Sequence, residues 1–100
     1  AMTEASFEAK VLRDFMVNGR LKTIPARAKK KDVVLRYLAT LFELDRRYHE
    51  TEVNTLLQRV HPDYASLRRF LVDAGLLARD HGIYWRIAEI PVPLAGTRGG

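Results

Sequence analysis

Phe7, Val11 and Phe15 recur at helical spacing with Leu12 and Met16 beside them, which predicts a first helix near the start of the chain. Gly19 follows where a helix end favours a left-handed residue, so it reads as the cap of that helix. Arg20 to Ile24 is short, carries Leu21 and Ile24, and runs into Pro25; it predicts an extended segment at a sheet edge. From about Lys29 to Glu43, Val34, Leu35, Leu38, Leu41 and Phe42 form a stripe at the 3.6-residue period, with Arg36, Thr40 and Glu43 outside it. That stripe predicts the central core helix.

Val53, Leu56, Leu57 and Val60 then repeat at i, i+3, i+4 and i+7. Glu52 stands where its carboxylate can reach back to the His49 N–H, and Tyr48 where it can staple onto Val53. Because His49 is a poor N-cap, only half of a capping box is expected. Pro62 stops this helix, and Asp63 caps another whose inner stripe is Leu67, Phe70, Leu71 and Ala74. Gly75 supplies a left-handed end, with Leu76 folding back onto Leu71.

Beyond Gly75 the period drops to two. Leu77 and Ala78 lead into the turn residues Asp80, His81 and Gly82, after which Ile83, Trp85 and Ile87 face one way and Tyr84 and Arg86 the other. Leu38, Leu56, Leu71 and Trp85 are thereby expected to share one core. The class is mainly α with a small β-hairpin, an α+β fold. The element order is that of a winged helix-turn-helix, preceded by an N-terminal helix and a short edge strand.

Composition supports one domain. The 100 residues are 47% hydrophobic and 29% charged, enough to bury a core without a metal or disulfide staple. We expect a single winged-helix-like domain over residues 3–90 and a Pro/Gly-rich tail over 91–100. Ala1 ahead of Met2 reads as a residue left by tag cleavage. The absence of Cys removes disulfides, thiolate zinc sites and cysteine nucleophiles, and agrees with a reducing compartment. Apolar runs are only a few residues long, so no membrane-spanning segment or signal-peptide core is expected and the protein reads as cytoplasmic.

The succession GRLKTIP, KKKDVVLRYLATLF, RRYHETEVNTLL and DYASLRRFLVDAGLLARDHGIYWR resembles a small bacterial domain family of uncharacterised function, found alone or attached to helix-turn-helix transcriptional regulators. The resemblance is most specific from Tyr48 through Trp85. It implies a winged-helix-like fold and a link to transcription, with no catalytic residues to carry over.

The candidate chemistry is sparse. His49, His61 and His81 contain no i, i+3 or i+4 His pair, and His49 with Glu52 needs two further ligands that nothing announces, so no metal or cofactor is expected. No Gly-rich phosphate loop is present, and Ser6 and Ser66 have no marked base, which argues against an enzyme. The formal charge of +5 favours a polyanionic partner, and residues 27–50 hold seven basic against four acidic side chains.

In a winged helix the helix after Asp63 enters the major groove. Its outer face offers Tyr64, Ser66, Arg68, Arg69 and Asp73, and Arg69 can instead pair with Asp73 one turn away. Arg79, His81 and Arg86 place the hairpin against the adjacent backbone. Arg27, Lys29, Lys30 and Lys31 form a basic cluster near a helix N-terminus, where they oppose the macrodipole. It reads as a solvated turn or as an anion and phosphate patch. Two functions stay open: a domain that binds or accompanies double-stranded DNA in transcriptional regulation, and a module that uses the same shape to contact another protein or a helix-turn-helix regulator domain.

Overall fold

The computed structural model describes residues 3–87, so Ala1, Met2 and the expected 91–100 tail lie outside the described residues. The described chain is α+β, with four helices and two small antiparallel sheets. Helix α1 spans Glu4–Phe15 and begins at Thr3, whose hydroxyl accepts the Ser6 N–H at 3.0 Å. Strands β1 (Met16–Val17) and β2 (Arg20–Leu21) form a ribbon around Asn18 and Gly19, which have φ of 54° and 79°. Both central residues have positive φ, as in the two-residue turns that match strand twist. Gly19 is therefore a hairpin residue and not the expected helix cap; α1 ends earlier, with Met16 already extended. The expected edge segment is this ribbon's second strand, held to the chain end of a later helix by Leu21 N–H donating to the Val60 carbonyl at 2.9 Å.

Helix α2 (Ala28–Ala39) is shorter than its stripe predicts. Val33, Val34, Leu35, Leu38 and Ala39 are buried, but Leu41 lies past the helix and is 39% exposed. Arg36, placed outside the stripe, is mostly covered: its Nη2 donates to Glu8 Oε2 at 2.9 Å and its Nε to Asp32 at 3.0 Å. Burial disfavours the charge on Arg36, yet the Glu8 hydrogen bond and the carboxylates of Asp32 and Glu8 outweigh it and hold the guanidinium above its ordinary pKa.

Strand β3 (Arg47–His49) leads directly into α3 (Glu50–Gln58), where Glu52 accepts the His49 N–H at 2.8 Å as expected. A five-residue turn connects α3 to α4 (Tyr64–Asp73), which starts at Asp63 accepting the Ser66 N–H at 3.3 Å. The end of α4 is as read: Gly75 has φ of 77°, its N–H donates to Val72 and the Leu76 N–H donates to Leu71, with Leu76 and Leu71 both buried.

Strands β4 (Leu77–Asp80) and β5 (Ile83–Arg86) form the hairpin, and β3 pairs with β5 to give the strand order β3-β5-β4. Neither the third strand nor the inward face matches expectation. Tyr84, not Trp85, is fully buried, because its hydroxyl donates to Glu50 Oε1 at 2.9 Å and so satisfies its polar end inside the core. Leu38 and Leu71 are fully buried and Leu56 packs at the margin, while Trp85 stands on the outer face of the sheet beside Arg47.

Candidate nucleic-acid interface

Helix α4 presents Ala65, Arg68, Arg69 and Val72 toward β4 and β5, at the i, i+3, i+4, i+7 spacing of one helix face. With Asp73, Arg79 and Tyr84 they line a recess of about 380 Å³ between the helix and the hairpin. Tyr64 and Ser66, expected on this face, are turned partly inward, and Ala65 and Val72 take their place. The helical period predicts both faces of α4, but only the position of the hairpin selects the one that borders a recess.

The basic residues of this region differ in what holds them. Arg68 is committed internally: Nη1 donates to Asn54 Oδ1 and Nη2 lies 3.9 Å from Glu50 Oε2, so the side chain is mostly covered and ties α4 to α3. Glu50 is thus shared between Arg68 and the Tyr84 hydroxyl, and one polar network joins α3, α4 and β5. Arg69 is exposed, and the pairing with Asp73 is absent among the ion pairs of the described residues. Arg79 is exposed on β4 across the recess. His81 is at the hairpin tip, 2.6 Å from Asp80 Oδ1. The tip itself is held down, since the Glu50 N–H donates to the Gly82 carbonyl at 3.0 Å. Arg86 sits at the other end of the hairpin, with Nη1 donating to the Phe42 carbonyl at 3.2 Å, and does not join this group.

The lysine cluster packs on aromatic rings. Lys29 Nζ stands 5.1 Å from the Phe7 centroid, Lys30 Nζ 5.9 Å from Phe15, and Lys31 Nζ 3.6 Å from Phe70, while Arg27 caps α2 through backbone geometry alone. Cation–π attraction of about 0.5–1 kcal/mol each at exposed sites offsets the unfavourable position of these lysines at the helix N-terminus. Three adjacent lysines give no hint of partners that come from α1 and α4. Phe70 also lies 5.4 Å below the Arg69 guanidinium. One ring therefore holds cations of α2 and α4 no more than about 9 Å apart, the total of their two distances to its centroid. Lys31, Arg69 and Arg79 make a basic strip from α2 across α4 to β4, interrupted by Asp73, which lines both the Arg69 recess and the neighbouring one beside Lys31.

Among the described residues no group of three or more His, Asp or Glu is placed to hold a metal ion, and no helix is long and apolar enough to cross a membrane. The fold and strip define a small α+β domain with a cationic face on its last helix. The family described as "Uncharacterized protein conserved in bacteria (DUF2087)" matches residues 20–86, and the chain belongs to it. No curated protein and no solved structure matches the chain. Helix α1 and strand β1 precede the matched residues.

Proposed function

We propose that this is a non-catalytic winged helix-turn-helix domain that binds double-stranded DNA in cytoplasmic transcriptional regulation. The order α2, β3, α3, α4, β4, β5 with β3 paired to β5 supports the architecture, since two consecutive helices joined by a short turn and followed by a hairpin are the succession a helix-turn-helix with a wing requires. The observation that carries the binding surface is Phe70 holding Lys31 and Arg69 together, with Arg79 across the recess. None of the three has a carboxylate within 4 Å among the described residues, so their charge is available to phosphates. In this reading Arg69 is the side chain of α4 that meets a base edge, because it is exposed whereas Arg68 is engaged by Asn54 and Glu50. Titration of the protein into labelled random-sequence duplex at low salt tests the reading. Saturable binding that weakens in Arg69→Ala and Arg79→Ala supports it, and absence of binding removes it.

The second reading, a protein-contact module, draws on the same facts from the other side. Two of the arginines suited to DNA, Arg68 and Arg86, are used inside the domain, and the hairpin tip is tied to α3.

A further inference from the structure

The end of the sheet away from the hairpin tip carries a second basic surface with different chemistry. Arg47 on β3 and Trp85 on β5 are direct cross-strand partners, and the Arg47 guanidinium stacks 4.6 Å from the indole centroid. Trp85, Arg86, Arg47, Arg46 and Asp45 line a recess of about 240 Å³. Arg46 also lines a second recess of about 420 Å³, bordered by Leu41 and α3, so one guanidinium stands between the two. Arg46 has Glu43 and Glu52 at 3.7 and 3.9 Å, whereas Arg47 and Arg86 have no carboxylate within 4 Å among the described residues. Arg86 finds only the Phe42 carbonyl, and its Nε is buried without a partner.

Apolar exposure falls in the same place. Of the four exposed large apolar side chains among the described residues, Leu41 and Leu44 precede β3 and Ile87 directly follows β5, at 39%, 48% and 36% exposure. The Arg86 bond to Phe42 holds these two chain segments together. Arginine and tryptophan beside exposed leucine is the composition of a protein-contact centre, whereas backbone phosphate tracking does not call for leucine or isoleucine. The smaller recess is below the roughly 300–1,000 Å³ of a pocket for a whole small molecule, but the two linked across Arg46 suit a chain segment laid over them.

We propose that Arg47, Trp85 and Arg86, with Leu44 and Ile87, form a docking surface for a short acidic segment of a partner protein that also carries large apolar side chains. The Arg47 guanidinium, which has no carboxylate within 4 Å among the described residues, selects the partner's carboxylates, Arg86 adds positive charge at the wall of the recess while its Nη1 holds the Phe42 carbonyl, and the exposed leucine and isoleucine select the apolar residues. The surface shares no residue with the Lys31, Arg69 and Arg79 strip and borders a different recess, so its occupation and DNA binding can be tested with separate variants.

Selection from a displayed library of random 12-residue peptides on the full chain tests this. Enriched peptides should combine Asp or Glu with Leu, Ile or Phe, and should change the emission of Trp85, the single Trp of the protein. Arg47→Glu should weaken a selected peptide at least tenfold with the thermal melt unchanged, and replacing the peptide's acidic residues with Lys should restore binding to that variant. Leu44→Ser gives a second disruption without a charge change. Enrichment of peptides without acidic residues, binding indifferent to Arg47→Glu, or no enrichment would overturn the proposal. So would a concentration-dependent dimer that covers Trp85, or an equal response to single-stranded oligothymidylate.

Discussion

Glu8 accepts a hydrogen bond from Arg36 at 2.9 Å, and through it α1, which precedes the residues matched to the family, is fastened to the central helix of the domain. Glu8 is only 6% exposed, the one charged side chain among the buried described residues. A carboxylate there is tolerated because Arg36 neutralises it, and Arg36 in turn keeps Asp32 as a second partner on its own helix.

Glu8→Ala should therefore destabilise the fold. Removing one partner of a buried pair costs about 3–5 kcal/mol, and the remaining Asp32 contact reduces this to about 1–3 kcal/mol here. Replacing both residues, as Glu8→Leu with Arg36→Leu, should lie closer to the native stability, since no uncompensated charge is then left behind. Denaturant unfolding of the three variants measures this. Equal losses for Glu8→Ala and for the double variant would show that the packing of α1, and not charge pairing, sets the energy.

The ends of α4 give a second expectation. Asp63→Ala should lose roughly 0.5–2 kcal/mol with its bond to the Ser66 N–H. Gly75→Ala should lose about 1–2 kcal/mol through φ alone, because a Cβ at Gly75 meets nothing within 4 Å. Gly75→Asn should lose less than Gly75→Ala, as asparagine enters the left-handed region more readily. Thermal or denaturant unfolding separates them, and equal losses for Asn and Ala would place the effect outside the backbone conformation.

These helix ends were legible in the sequence because caps are local: Asp63, Gly75 and Leu76 act within one turn of each other. Features set by distant partners were not. Strand β3 is three residues with one inward side chain, Tyr48, too short to show alternation, and it exists as a strand because β5 offers a ladder. For β5 the alternation is plain, but a slip of one residue exchanges the two faces. Counting apolar residues puts Ile83, Trp85 and Ile87 inward; the hydrogen bond from Tyr84 to Glu50 and the packing around it decide otherwise. Gly19 needs positive φ in either reading, and only the pairing of Met16 with Leu21 distinguishes a hairpin from a helix cap. At the candidate site, the basic residues are visible in the sequence, but Phe70 as the ring that joins Lys31 to Arg69 is not, since the helical period puts it on the inner stripe.

The two faces of β5 provide a direct comparison. Tyr84→Ala should cost about 3–5 kcal/mol, the range for truncating a large aromatic in a core. Trp85→Ala should cost clearly less, because the indole is on the outer face and loses chiefly its stack with Arg47, worth about 0.5–1 kcal/mol. Tyr84→Phe isolates the hydroxyl: it leaves Glu50 to Arg68 alone and should cost about 0.5–1.5 kcal/mol. Urea unfolding of the three variants checks the order, and a Trp85→Ala loss as large as that of Tyr84→Ala would restore the opposite face as the core.

The last prediction concerns the cationic strip. If Lys31, Arg69 and Arg79 each neutralise one phosphate, the logarithm of the DNA affinity should fall against the logarithm of salt with a slope near about −2.7, at about −0.9 per contact. Lys31→Ala and Arg79→Ala should each flatten that slope by about one and weaken all sequences alike. Arg69→Ala should also relax preference at one position if its guanidinium reaches a base edge, with a loss of about 1–3 kcal/mol on the preferred sequence. Asp73 supplies the opposite sign, since it lies among the same residues and repels phosphate. Asp73→Asn should therefore tighten binding at low salt and lose this advantage as salt rises. Arg68→Ala is the contrasting variant: its side chain is held by Asn54 and Glu50, so it should lower stability while leaving the salt slope near the native value. Anisotropy titrations at several salt concentrations read all five variants. A slope unchanged in the Lys31 and Arg79 variants, or flattened by Arg68→Ala alone, would remove the strip from the interface and return Arg68 to it.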